Sequence, residues 1–370
     1  MSFSVSLTRH APGAKPGATG VSCYLNEIPS FAGAELSRLY GHIHSSPAFF
    51  ETSRPTDNVS TYVAHADGEI SAVLVFRLAD GVADVLNEFI VIDAQEVCRF
   101  ADCIFATFPA TRAIRFQAVQ TDASALPYPV QLHNSKENWI ITLPASAAAY
   151  TAGLGKATRG KIKRCTRKVA RDLPTYGYEF REREAIREED VRELIRLNQA
   201  RIASKGKLFG IDEAETRRIL RMARRCGVMN LTRVDGRLCA GMITYHIGED
   251  FLTEVIAHDP AYNDYSLGQL CYHTTVCESI ARGARRFHLG GGREEYKARM
   301  LGVRQDVDRL VIHRSATHMA LNAPLVVRTA AAGRARRAKV WMLTNPDSRI
   351  TRAVLTTLTI LAGLRRPQGR

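Results

Sequence analysis

Asp264-Tyr-Ser-Leu-Gly-Gln-Leu270 and, further on, Arg285-Arg-Phe-His-Leu-Gly-Gly-Gly-Arg-Glu-Glu-Tyr-Lys297, closed by Gly302, frame the stretch whose reading decides the fold. It reads as a polar turn, a helix, a short strand at Arg286–Leu289, a glycine loop and a Tyr-Lys pair. That order brings a helix N-terminus and reactive side chains to one end of a sheet, where α/β folds bind ligands. The helix is predicted to begin at Ser266, with Leu267, Leu270, Cys271, Thr274, Cys277, Ile280 and Ala281 on one face and Gly283 as its stop. Its first turn, Ser266, Leu267, Gly268 and Gln269, offers free backbone N–H groups and the positive end of the helix dipole, which together suit a pyrophosphate. Gly268 lets a ligand approach closely or merely relieves helix packing.

Immediately upstream the chain reads as an antiparallel meander. Met229 to Tyr245 carries an Asp235-Gly236 hairpin turn, and a second turn at Gly248-Glu-Asp250 leads into a third strand, Phe251–Ala257. The same pattern occurs near the N-terminus: strands around Asp67-Gly68, a second turn at Asp80-Gly81 and a third strand through Ile92. The two hairpin turns lie 168 positions apart, about one domain's length, which favours duplication over coincidence. After the first meander a helix is predicted over 94–108, a strand at 113–119 and a last strand at Trp139–Pro144. The basic segment 145–171 reads as one helix, followed by amphipathic helices over Glu188–Ser204 and Asp212–Cys226. The expected division is 1–145, 146–311 and a basic helical tail, 312–370.

Composition narrows the class. With 45% hydrophobic and 24% charged residues, the 370-residue chain has the make-up of an ordinary folded protein with about two domains. Eight scattered cysteines without Cys-x-x-Cys pairs, and histidines (246, 258, 273, 288) without ligand spacing, point to a reduced, cytoplasmic protein with no metal. No signal peptide and no membrane span is visible in the sequence. The net charge of +14 is concentrated in 156–171 (eight Lys/Arg, no acid) and 328–370 (ten Lys/Arg, one acid), leaving a nearly neutral body. That distribution argues against a general polyanion-binding surface and makes nucleic acid an unlikely partner. The segment Ile350–Leu364, flanked by Arg349, Arg352, Arg365 and Arg366, is amphipathic and cationic. Residues 349–366 therefore either contact an anionic membrane surface peripherally, at the inner face, or dock on the protein's own body.

Strand, phosphate loop and helix, and strand in a mixed sheet resemble the GNAT superfamily of acyl-CoA-dependent N-acyltransferases. Over roughly 150–305 the chain is more specifically similar to the BioF-like acetyltransferase domain of CelD-type exopolysaccharide and cellulose biosynthesis proteins, relatives of the Fem aminoacyltransferases. The matching positions are Gly283, Phe287, Leu289, Gly290, Gly292, Tyr296, Lys297 and Gly302. The resemblance implies an α/β (α+β) fold of tandem GNAT-like domains with mixed, mainly antiparallel sheets flanked by helices, and acetyl-CoA or another acyl-CoA as co-substrate. The phosphate loop departs from the family pattern: Tyr265 stands where Gln or Arg is usual and Leu270 where a small residue is usual, so only Gly268 fits. In Fem enzymes the donor is an aminoacyl-tRNA and the lysine matching Lys297 serves transfer, so the Tyr-Lys ending suits either donor.

N-acyl transfer needs a base for the attacking amine and a donor for the oxyanion and leaving thiolate. Glu254, in the third strand, is the candidate base if it faces a crevice that raises its pKa, and a solvated strand residue otherwise. Tyr296 is the candidate acid and Lys297 the candidate oxyanion stabiliser; the plain alternatives are a tyrosine capping the core and a surface lysine. Tyr245, His258 and Arg293 are candidate substrate contacts. The expected activity is acylation of an amine on a small molecule or glycan, such as an amino sugar. The competing expectations are Fem-like aminoacyl transfer and a non-catalytic scaffold binding membrane or glycan.

Overall fold

The two Asp-Gly turns set the plan. Asp67 and Gly68 have φ of 53° and 85°, and Asp235 and Gly236 have 51° and 75°, the left-handed pair required by a two-residue hairpin between right-twisted strands. Residues 6–10, 19–53, 57–204, 210–292, 295–345, 347–349 and 351 are described by a computed structural model. The first half comprises β1 (Ser6–His10), β2 (Thr19–Tyr24), α1 (Ala32–Tyr40), α2 (Pro47–Ser53), β3 (Val59–Ala66), β4 (Glu69–Ala79), β5 (Val82–Val85), β6 (Ile90–Val91), α3 (Ala94–Thr107), β7 (Ala113–Gln120) and β8 (Val130–Thr142). There follow α4 (Ala147–Gly153), α5 (Lys156–Asp172), β9 (Gly177–Glu182), α6 (Glu188–Ser204), α7 (Glu213–Cys226), β10 (Gly227–Val234), β11 (Arg237–Ile247) and β12 (Asp250–His258). The chain continues through α8 (Leu267–Ala281), β13 (Arg286–His288), α9 (Glu295–Arg299), β14 (Val303–His313), α10 (Ala316–Leu321) and α11 (Ala323–Thr344).

The resemblance between the meanders extends to their irregularities. The β3–β4 register slips between Ala64 and His65, and the β10–β11 register slips between Thr232 and Arg233, at the same distance before each Asp-Gly turn. A bulge conserved in place between two hairpins is hard to obtain by chance and supports duplication.

All the strands join one mixed sheet, ordered β1-β2-β3-β4-β5-β7-β14-β8-β13-β12-β11-β10-β9, with β6 pairing β7. The seam is an exchange. β14, which follows the second meander, runs antiparallel between β7 and β8, while β8 reaches across to β13. One face of the second half is covered by α6 and α7, whose Val191, Leu194, Ile219 and Met222 share a core with Leu36 and Phe50 of the first half. On the other face α4, α5 and α8 bury Tyr150, Ile162, Cys271 and Val276 against Phe251 and Phe287.

Three expectations about elements are corrected. The helix foreseen over 145–171 is two, because Leu154 and Gly155 adopt extended ψ values of 146° and 147° and Leu154 turns into the core. The third strand of the first meander breaks after Val85, since the buried Asn87 side chain accepts from Val75 N (2.8 Å) and donates to Val73 O (3.3 Å) in place of a ladder. The strand foreseen at 139–144 begins nine positions earlier, at Val130. Part of the tail is integral: α11 lies on β8, where Gln131 donates to Val326 O (3.1 Å) and Arg336 pairs with the buried Glu137 (2.7 Å). Most of 349–366 lies outside the described residues. Among the described residues no helix is long and apolar enough to cross a membrane.

Candidate functional site

The site begins where two parallel strands part. β12 and β13 pair only from Asp250↔Arg286 to Leu252↔His288, although β12 runs on to His258. Past His288 the chain stays with β8, Leu289 N donating to Trp139 O (2.8 Å), and then enters the loop Gly290–Gly292. β12 meanwhile bends at a bulge, its register against β11 slipping so that Glu254 is the extra residue. The result is a wedge-shaped gap beside Thr253–His258, with strand backbone on one wall and a glycine loop on the other. Among the described residues the first half shows no such gap, because β6 resumes pairing with β7 after β5.

On the α5/α8 face the gap opens into a cavity of about 600 Å³ lined by His258, Ser266, Gly268, Gln269, Tyr272 and Tyr296. Lys161, Arg201 and Arg299 add three cations to its wall. Ser266 caps α8 in the left-handed conformation (φ 52°), and among the described residues no side chain caps the helix; Gln269 N already donates to Ser266 O (2.9 Å), which leaves the N–H groups of Leu267 and Gly268 as the candidates for an anion. In the first half Asp93 accepts from Gln95 N at the start of α3, putting a carboxylate where an anion would sit. Leu267 itself points into the core. The close approach at Gly268 is made by a side chain of the protein: an added Cβ would stand 2.6 Å from His258 Nδ1. The His258 Nε2 faces Asn263 Oδ1 at 3.1 Å.

Glu254 lies on the other face of the sheet. Its carboxylate accepts from Arg218 of α7, which also bonds Glu215 (2.7 and 2.9 Å). Burial raises the Glu254 pKa and the Arg218 guanidinium opposes that rise. Tyr245 is buried on the same face, its hydroxyl has no hydrogen-bond partner among the described residues, and burial followed by the Glu254 charge holds its pKa well above the usual phenol. The gap thus has a cavity on one side and a half-buried carboxylate on the other.

Gly290 and Gly292 have φ of 69° and 103°, conformations open to glycine. Lys297, on α9, is 3% exposed and donates to Gly290 O (3.3 Å) and Gly291 O, and Trp139 Nε1 donates to Gly292 O (2.7 Å). Gly302 closes the motif because a Cβ there would come within 2.6 Å of Leu289 Cδ1. Tyr296 is 37% exposed at the cavity rim. Arg293 lies outside the described residues. Replacing Lys297 by methionine, which keeps the bulk and removes a charged donor, should cost about 1.5 kcal/mol and lower the melting temperature by a few degrees. Differential scanning calorimetry checks this; an unchanged midpoint would show that the loop holds without the ammonium.

Sequence reasoning missed Tyr272 and the cations of α6 and α9 in the cavity, while Lys161 belongs to the basic segment 156–171 that the sequence singles out. The one available signal was spacing: Tyr272 is four residues beyond Gly268, hence on the same helix face. It also missed Asp250, 4% exposed, which accepts from Arg286 (2.7 and 2.8 Å) and from His288 Nε2 (2.7 Å), while His288 Nδ1 meets Asn138 of β8 at 2.9 Å. Among the described residues no group of His, Cys, Asp and Glu could hold a metal ion.

Residues 156–298 match the family described as acetyltransferase (GNAT) domain. Fold and site therefore give a likeness of class: over those residues the chain is similar to GNAT-type acetyltransferase domains. Among solved structures the chain is similar to FemX, at 10% identity and a TM-score of 0.58, over 80% of this chain and 98% of that one. A weaker likeness, TM-score 0.47 at 12% identity over 83% and 97% of the two chains, is to L-PGS from Bacillus licheniformis. At such identities the likeness is one of fold. No curated protein matches the sequence at a significant level.

Proposed function

We propose that the protein is an acyl-CoA-dependent N-acyltransferase that moves an acyl group, in the first instance acetyl, to an amine on a small molecule or glycan, such as an amino sugar used in cell-envelope or exopolysaccharide assembly. The observation that carries this reading is the two-sided gap beside β12. A donor with phosphates at one end and amides along its length fits the α5/α8 cavity. The start of α8, through the N–H groups of Leu267 and Gly268 and the side chains of Ser266 and Gln269 on the cavity wall, with Lys161, Arg201 and Arg299, answers the phosphates, and the unpaired edge of β12 answers the amides.

The acceptor then approaches from the α7 face, where Glu254 takes the proton of the attacking amine and Tyr245 contacts the acceptor. As the amine nitrogen bonds to the thioester carbon the C–S bond breaks, and Tyr296 at the rim gives the leaving thiolate its proton. Lys297 acts through the glycine loop it holds, lending positive charge to the side where the oxyanion forms. His258, wedged against Gly268, shapes the donor end, and Arg293 remains a proposed substrate contact. The transfer site belongs to the second unit, 146–311; the first, 1–145, is a GNAT-like partner without an open gap, and 312–370 is a basic tail.

Isothermal titration with acetyl-CoA tests the reading. Saturable binding in the micromolar range is expected, and no heat from well-folded protein would remove the acyl-CoA donor. One observation favours a second reading, Fem-like transfer from aminoacyl-tRNA: α5 presents Lys156, Arg159, Lys163, Arg164 and Arg167 to solvent beside the cavity. Turnover that survives ribonuclease treatment would exclude it.

A further inference from the structure

We propose that Tyr272 is a further donor-contacting residue, its phenolic hydroxyl donating a hydrogen bond to a carbonyl oxygen of the acyl donor in the inner part of the α5/α8 cavity. This rests on the acyl-CoA reading above. Tyr272 is 3% exposed and lines the cavity, yet its hydroxyl has no hydrogen-bond partner among the described residues. Its ring is fixed edge-on against Phe287 (5.9 Å) and Tyr296 (6.1 Å). Phe287 is the middle residue of β13, in register with Phe251, one position before the two strands part. The hydroxyl is therefore anchored beside the apex of the gap, on the same helix face as Gly268.

Packing alone does not account for a tyrosine here. Phenylalanine would fill the same space without burying an unsatisfied hydroxyl, which is a cost to the free protein. A ligand carbonyl, which only accepts, removes that cost. Burial also holds the phenol well above its ordinary pKa, so the group stays protonated and serves as a hydrogen-bond donor, not as an acid. The cations Lys161, Arg201 and Arg299 on the same cavity complete the complement of a ligand that is anionic at one end and carries carbonyl groups at the other.

Tyr272→Phe tests this with two readouts on the full chain. The thermal midpoint of the ligand-free protein should stay level or rise, because an unsatisfied hydroxyl is removed, while acetyl-CoA, measured by titration calorimetry, should bind about tenfold more weakly. A midpoint several degrees lower would mean the hydroxyl serves the fold and would overturn the proposal. Equal acetyl-CoA affinity for variant and wild type would overturn it alone, leaving the acyl-CoA reading intact. No binding by the wild type would remove both.

Discussion

Glu254→Gln should lower the rate of acyl transfer by about 10²–10⁴-fold while leaving acetyl-CoA affinity nearly unchanged. The substitution keeps the shape of the side chain and an acceptor oxygen for Arg218, and removes the negative charge and with it the ability to take a proton. Affinity is spared because the carboxylate stands across the sheet from the α5/α8 cavity. Burial raises the Glu254 pKa and Arg218 pulls it down, so the rising limb of the pH–rate profile should lie above the ordinary glutamate range. Arg218→Ala removes the opposing charge and should push that limb to still higher pH, since a base must be deprotonated to act. Steady-state kinetics with acetyl-CoA and an amine panel between pH 5 and 9 measure both. A Glu254→Gln enzyme with wild-type turnover would hand the role of base to another group.

Asp250→Ala should be the most destabilising single change at the seam between the halves, at roughly 3 kcal/mol. The carboxylate is buried and serves two donors: Arg286, half in solvent, and His288, fully enclosed. Removing it leaves the His288 Nε2–H without its acceptor in a place water does not reach. Gly41→Ala should damage the same contact from the opposite side. Gly41 ends α1 at φ 57°, and an added Cβ would overlap both Asp250 Oδ2 and Arg286 Nη2. Because the two changes act on one contact, the double variant should lose clearly less than the sum of the singles, and urea midpoints for all three measure the shortfall. Strict additivity would mean that the first half does not lean on this ion pair.

Much of the fold was legible because it is written in local chemistry. Asp67-Gly68 and Asp235-Gly236 announce hairpins, since their backbone must take positive φ. The spacing of Gly290, Lys297 and Gly302 is legible for a similar reason: two glycines turn the chain, a lysine ties the turn to α9, and a third glycine admits Leu289. What stayed hidden depends on partners distant in sequence. Val303–His313 has an ordinary strand pattern, and nothing in it says that its neighbours are β7 and β8. The β12 bulge exists only in relation to β11, so alternation along Leu252–His258 could not tell which face Glu254 takes. Tyr272 sits in a helix whose residues are buried or half-buried almost throughout, so periodicity gives little contrast between core and cavity.

The exchange of β8 and β14 has a consequence for motion. Many two-lobed enzymes close on their substrates by swinging one lobe about a flexible linker. Here the covalent path crosses the seam twice, and both crossings are strands locked into one ladder, Val303↔Ile140 through Ile312↔Val130. A swing at that line would shear a whole row of backbone hydrogen bonds. The continuous ladder therefore opposes a hinge between the two halves. Among the described residues, the small local elements beside the cavity are the turn from Pro260 to Tyr265 that leads into α8 and the glycines that Lys297 holds in place.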